Sequence, residues 1–231
     1  MTESIVEDIV FWRMLLALLM TAATLSVTHA AGEAAGCPAD SEAVAAAAAA
    51  IPEGMFTRPE AGVPAAKRTT SGLYVTAQDA YDMMKEAPDK VLFIDVRTPA
   101  ELQFIGMPTL VDANVPLLLE ASPPQWDDVN STFKLAPNAK FVEGVDARLV
   151  GKGLTRDGRV ILICQGGVRA ARAANLLTQA GYTKVYTTID GFEGDPAPDG
   201  PHKGERIVNG WRNAGLPWTA RLDRSKMYGL Q

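Results

Sequence analysis

Two short, uninterrupted apolar runs, Val91-Leu92-Phe93-Ile94 and Val160-Ile161-Leu162-Ile163, set the tightest limit on what this chain can fold into. A strand with one wetted face alternates apolar and polar residues, whereas a run without alternation belongs in a sheet covered on both faces. Each run leads into a helical segment. After the first come Thr98-Pro99-Ala100-Glu101, with a hydroxyl at the cap, proline in the first turn and glutamate three residues after the cap. After the second, Ala170, Ala173, Ala174, Leu177 and Ala180 recur at helical spacing, a small-residue face suited to close packing on a sheet, and Gly181 closes the helix. Leu73-Tyr74-Val75, Ala113-Asn114-Val115 and Lys184-Val185-Tyr186 read as further strands. Thr76 caps a helix through Ala80, Met83 and Met84, and another helix is expected near Phe141 to Leu149. Strands separated by helices require crossover connections, so the expected fold is α/β with a mainly parallel central sheet flanked by helices.

Composition removes several chemistries. The net charge of −5 gives no basic field, so no nucleic-acid partner is expected. Two cysteines (Cys37, Cys164) and two histidines (His29, His202) cannot supply the four ligands of a structural zinc site. A Cys-His protease lacks its base, because His202 is the only histidine in the body of the chain and lies in a Gly/Pro-rich loop. Asp195 and Asp199 do not have EF-hand spacing. No metal and no organic cofactor is expected. Cys37 and Cys164 lie in contexts too different to favour a disulfide.

The ends of the chain read differently from its middle. Met14 to Val27 is uncharged and mostly apolar, follows Arg13, and precedes small residues around Ala30 and Ala31. Its length suits the core of a secretory signal better than a bilayer span, which places a signal peptide over residues 1–30 and the protein in the periplasm or otherwise exported. The acidic leading segment is atypical and leaves open an uncleaved membrane anchor reaching back through Ile9 to Trp12. Only then is a membrane partner expected. Residues 31–70, with an alanine run at 43–50 and Pro52, Pro59 and Pro64, read as a linker, and 223–231 as a C-terminal tail.

Cys164 stands where the second apolar strand ends and a helix begins, the edge at which open parallel sheets bind ligands. It opens the loop Cys164-Gln165-Gly166-Gly167-Val168-Arg169. Gly166 and Gly167 let the backbone curl so that N–H groups face the sulfur. Those donors, the helix dipole and Arg169 favour thiolate over thiol and suit a small anion. The competing reading, a small buried cysteine ending a strand, does not call for the glycines and the arginine together.

Three segments in order carry a family resemblance. Asp95-Val96-Arg97 with the helix start at Thr98, Ile163 to Arg169, and Asn209-Gly210-Trp211 with Ala214-Gly215-Leu216-Pro217 resemble the signature segments of rhodanese domains. The resemblance implies a three-layer rhodanese fold over residues 71–222. It also implies a sulfurtransferase mechanism with Cys164 as the persulfide-forming residue. Gln165, Gly166, Gly167, Val168 and Arg169 would bind a small sulfur-anion donor, with Asp95 and Arg97 in support, and a thiol, cyanide or protein would accept the sulfur. The four residues between Cys164 and Arg169 favour attack on sulfur, where related phosphatases have five. The alternative from another class is a catalytically quiet module that carries a persulfide or binds a partner in an exported sulfur or thiol system. The chain departs from the pattern in three places. Gly106-Met107-Pro108 lacks the family's usual histidine, the connection from Leu118 to Gly158 is long, and Phe192 to Asn209 splits the Gly-Gly-Trp segment. That last insertion is expected near the mouth of the site, as a lid or recognition loop or as a passive surface excursion.

Overall fold

A computed structural model describes residues 57–230 of the chain. The expectations of a signal or anchor, of the alanine-run helix, and of any pairing by Cys37 lie outside the described residues.

Both apolar runs form central strands. β1 (Tyr74–Val75), β2 (Val91–Asp95), β4 (Ala113–Asn114), β9 (Arg159–Ile163) and β10 (Lys184–Thr188) make one five-stranded sheet. Its order is β1-β10-β9-β2-β4, with every pair parallel. β9, which delivers Cys164, is the middle strand, so its exit is flanked by strands on both sides.

Among the described residues four α-helices cover the sheet: α1 (Ala77–Glu86), α2 (Pro99–Ile105), α3 (Phe141–Gly151) and α4 (Val168–Gln179). Strand side chains alternate between faces, so each apolar strand feeds two cores. Leu92, Ile94, Val160, Leu162 and Val185 pack with Phe141, Val145 and Leu149 of α3 and with the alanine face of α4. Val91, Phe93, Ile161, Ile163 and Tyr186 pack with α1, with Leu102 of α2, and with Phe192 and Trp211. The three-layer α/β expectation therefore holds, and the lack of alternation in the sequence is the direct trace of a sheet buried on both sides.

The starts of α1 and α2 are fixed by reciprocal caps. The Thr76 hydroxyl accepts from the amide of Asp79, whose carboxylate accepts from the Thr76 amide. Thr98 and Glu101 repeat the arrangement at α2. Two such orphan amides satisfied at each end are worth about 1 kcal/mol per cap.

The packed body is wider than residues 71–222. Arg58 pairs with the backbone of Tyr74 and with the carboxylate of Asp79, and a short helical turn at Ala65–Lys67 lies against the domain with Lys67 buried. At the other end Met227 joins the α1-side core, Tyr228 packs on the α3-side core, and Arg148 reaches the carbonyl of Ser225. Thus residues 57–70, read as the end of a linker, and 223–230, read as tail, are built into the domain. The long connection after Leu118 contains two antiparallel pairs, β5 (Leu118–Glu120) with β8 (Leu135–Pro137) and β6 (Trp126–Asp127) with β7 (Thr132–Phe133), before entering α3. Met107, in the place of the missing histidine, lies in β3 (Met107–Pro108), which pairs with β11 (Trp218–Thr219), and its side chain is core.

Candidate active site

At the end of β9 the backbone turns and Cys164 Sγ, 1% exposed as a residue, meets two amides. Gly167 N–H donates to the sulfur at 3.1 Å and Ala170 N–H at 3.3 Å. Both belong to the N-terminal turn of α4, where amides have no helical acceptor and the helix dipole favours negative charge. The carbonyls of the loop point the other way. Cys164 O accepts from Phe192 N–H and Gln165 O from Glu193 N–H. Pinning the carbonyls outward is what leaves amides to face the sulfur.

Two glycines make this turn possible. Gly167 has φ +99°, and a β-carbon there would sit 2.6 Å from the carbonyl oxygen of Ile189. Gly191 has φ +67°, and its β-carbon would lie 2.6 Å from Gln165 O. Gly167→Ala is therefore expected to destabilise the fold by at least about 1–2 kcal/mol from the left-handed conformation alone. Loss of the Gly167 contact should also slow chemistry at Cys164. A thermal melt and a sulfur-transfer assay on that variant check both; unchanged melting and rate would contradict the geometry.

A cavity of about 260 Å³ opens over the sulfur. It is lined by Cys164, Gln165, Gly166, Val168 and Arg169 of the loop and by Lys67, Asp195, Pro196 and Arg206 from other parts of the chain. Of the loop residues expected from sequence, only Gly167 is absent from the wall, because it lies beneath the sulfur as a donor. Arg169 is present but engaged: its two terminal nitrogens fork onto Glu101 at 2.6 and 2.5 Å. Burial, the largest single influence, would raise the Glu101 carboxyl, yet the bonds and charge of Arg169, the Thr98 amide and the Arg97 charge together hold the group below its ordinary value. The same pairing, aided by the negative potential of Cys164 and Asp95, keeps Arg169 firmly charged against desolvation. Glu101 thus closes the α2 cap and steadies the loop arginine together, a role the sequence reading did not assign.

Asp95 and Arg97 stand behind the loop, both 0% exposed, as a bidentate pair. Asp95 also accepts from the Arg97 amide, while Asn114 ties the carbonyls of both residues. The Arg97 guanidinium lies 4.2 Å from the centre of the Phe192 ring, and Phe192 is the residue whose amide holds Cys164 O. The pair thus packs against Phe192, and neither residue lines the cavity.

The insertion after Gly191 is closed at its neck, since Trp211 N–H donates to Gly191 O and Arg212 N–H to Phe192 O. The split halves of the glycine-tryptophan segment are thereby rejoined in space. Phe192, counted with the insertion from sequence, is fully buried core, so the true excursion starts beyond it. The Asp195 carboxylate accepts from Lys67 Nζ at 2.6 Å and from Asn209 Nδ2, while the Asp195 N–H donates to Asn209 Oδ1. Lys67 was missed by the sequence reading, whereas Asp195 and Arg206 belong to the insertion expected near the mouth of the site but were not singled out as site residues. They come together only through contacts spanning more than a hundred residues in the case of Lys67 and Asp195.

Asp190, beside this network, accepts from Ala77 N–H and is largely buried. Burial raises its carboxyl above the ordinary value, against the pull of backbone donors and Lys67. A carboxyl raised on folding favours the folded state below its unfolded value and loses that advantage as pH rises through the folded one. Asp190→Asn, which keeps the acceptor without the charge, should be as stable as the unsubstituted protein or more so near neutral pH, with the gap closing toward pH ~4. Melting curves across that range test the sign; a clearly less stable variant at neutral pH would reverse it.

The family model of the Rhodanese-like domain matches residues 76–195, more than half of the chain. The chain belongs to that family. Among curated relatives, it is similar to the uncharacterized protein RP600 homolog of Rickettsia rickettsii, 28% identical over 62% of this chain and 94% of the relative. It is also similar to the uncharacterized protein RP600 of Rickettsia prowazekii, 25% identical over the same shares. Solved structures that resemble it include Rv0390 from M. tuberculosis, 28% identical with TM-score 0.48, covering 64% of this chain and 97% of that one. Another is the polysulfide-sulfur transferase homodimer from Wolinella succinogenes, 24% identical with TM-score 0.39, covering 69% and 85%. The five-stranded parallel sheet flanked by helices is in keeping with that family.

Proposed function

We propose that this rhodanese-like domain is a sulfurtransferase that passes sulfane sulfur through a persulfide on Cys164. The supporting observation is the cradle itself. The sulfur receives two amide bonds at a helix N-terminus and opens on a cavity large enough for a small sulfur anion. Such donors stabilise the thiolate that attacks, and then the persulfide anion that results.

With thiosulfate as donor, the Cys164 thiolate attacks the outer sulfur and a new S–S bond forms. The donor's own S–S bond breaks, and sulfite leaves with the bonding pair. The enzyme then carries Cys164–S–S⁻, with charge conserved. An acceptor nucleophile, a thiol or cyanide, attacks the terminal sulfur and returns the thiolate. Arg169, braced by Glu101, keeps a fixed place at the loop in both states, and no step requires a proton relay from histidine.

Two half-reactions through a covalent intermediate demand ping-pong kinetics. Initial rates of thiocyanate formation with thiosulfate and cyanide varied together should give parallel double-reciprocal lines. Intersecting lines would remove the persulfide intermediate, and no thiocyanate with a range of sulfane donors would remove the activity. We further propose that the protein works outside the cytoplasm, on the strength of the apolar segment Met14 to Val27.

A further inference from the structure

We propose that Arg206, carried by the insertion, holds the oxyanion end of the sulfur donor, so that the insertion makes this site selective for thiosulfonate-type donors. The assignment rests on the reading of Cys164 as the sulfur-accepting residue.

Three cations line the cavity, and they are not equivalent. Lys67 is bonded to both carboxylate oxygens of Asp195, and Arg169 is forked onto Glu101. A fixed ion pair offers little net charge to an incoming anion. Arg206 has a different partner: its Nη1 donates to the carbonyl of Gly194, and no carboxylate among the described residues is in ion-pair contact with it. Its charge is therefore the uncompensated one at the cavity wall. The guanidinium also lies against the cysteine loop, since a β-carbon on Gly166 would come within 2.9 Å of Nη1. The absence of a side chain at Gly166 leaves that space to the arginine.

The geometry suits a donor with a sulfane sulfur at one end and an oxyanion at the other. The sulfane end would meet Cys164 while the oxygens meet Arg206, which lines the same cavity of about 260 Å³ beside Gly166. Thiosulfate and organic thiosulfonates share this chemistry. A neutral trisulfide offers the same sulfane sulfur without the oxyanion and gains nothing from Arg206.

The test compares Arg206→Gln and Arg206→Lys in the full chain with three donors: thiosulfate, methanethiosulfonate and a neutral dialkyl trisulfide. Loss of one charge-assisted contact corresponds to about a 10- to 100-fold rise in KM for both anionic donors in the Gln variant. The Lys variant should recover part of it, kcat should change far less, and KM for the trisulfide should hold. A rise confined to thiosulfate would narrow the site to the inorganic dianion. Thiosulfate binding to Cys164→Ser, followed by calorimetry, should weaken to the same degree when Arg206→Gln is added. Unchanged thiosulfate KM, or equal rises for anionic and neutral donors, would overturn the assignment. The two readings separate cleanly. Persulfide formation indifferent to Arg206→Gln sinks only the Arg206 proposal. Arg206-dependent thiosulfate binding to a protein that never forms a persulfide sinks only the sulfurtransferase reading.

Discussion

Replacing Cys164 by serine is expected to lower thiocyanate formation by at least about 10³-fold, the scale on which removal of a covalent nucleophile acts. A hydroxyl cannot form the persulfide, and it is a far weaker nucleophile at neutral pH than a thiolate. The fold should survive, because the oxygen is smaller than the sulfur and inherits the same two amide donors from Gly167 and Ala170. The expected pattern is thus a dead enzyme with melting close to that of the unsubstituted protein. Residual turnover above a few per cent would mean that another group carries the sulfur. No other free thiol exists among the described residues to do so.

Asp95→Asn is expected to give the largest loss of stability, about 3–5 kcal/mol, because it removes one charge from a fully buried pair. Asp95 and Arg97 are both 0% exposed, and among the described residues Asp95 supplies the only carboxylate in ion-pair contact with Arg97. The arginine would be left charged beside Phe192 and the Gly106 carbonyl, with one terminal nitrogen already lacking a partner. Since Phe192 holds the Cys164 carbonyl, the damage should spread to the loop and reduce turnover in whatever fraction stays folded. Denaturant unfolding gives the stability change directly. A shift below about 1 kcal/mol would show that the pair is replaceable and does not brace the site.

What was legible in the sequence was local. The unbroken apolar runs announced a doubly covered sheet, Thr98 and Glu101 announced a cap, and the Cys164 loop placed its glycines and arginine within six residues of one another. Each of these is decided by neighbours along the chain. The rest of the cavity lining is not. Lys67 reads as one basic residue in a proline-rich stretch, and its pairing with Asp195 depends on how α4 and the insertion fold back together. Arg169 could be placed at the site, but nothing between residues 101 and 169 reveals that Glu101 would occupy its fork. Phe192 was counted with the insertion because it follows the interrupted motif, and only its burial shows that it belongs to the core. Met227 and Tyr228 likewise carry no periodic signal, so their docking on the two cores had no trace in the tail.

The central claim is that Cys164 accepts a sulfur atom. Intact-mass measurement of the purified, reduced protein after brief incubation with thiosulfate tests it most directly. The account requires the mass of one added sulfur, mapped to Cys164, released by cyanide and absent from Cys164→Ser. A protein of unchanged mass, with thiosulfate and with other sulfane donors alike, would contradict it.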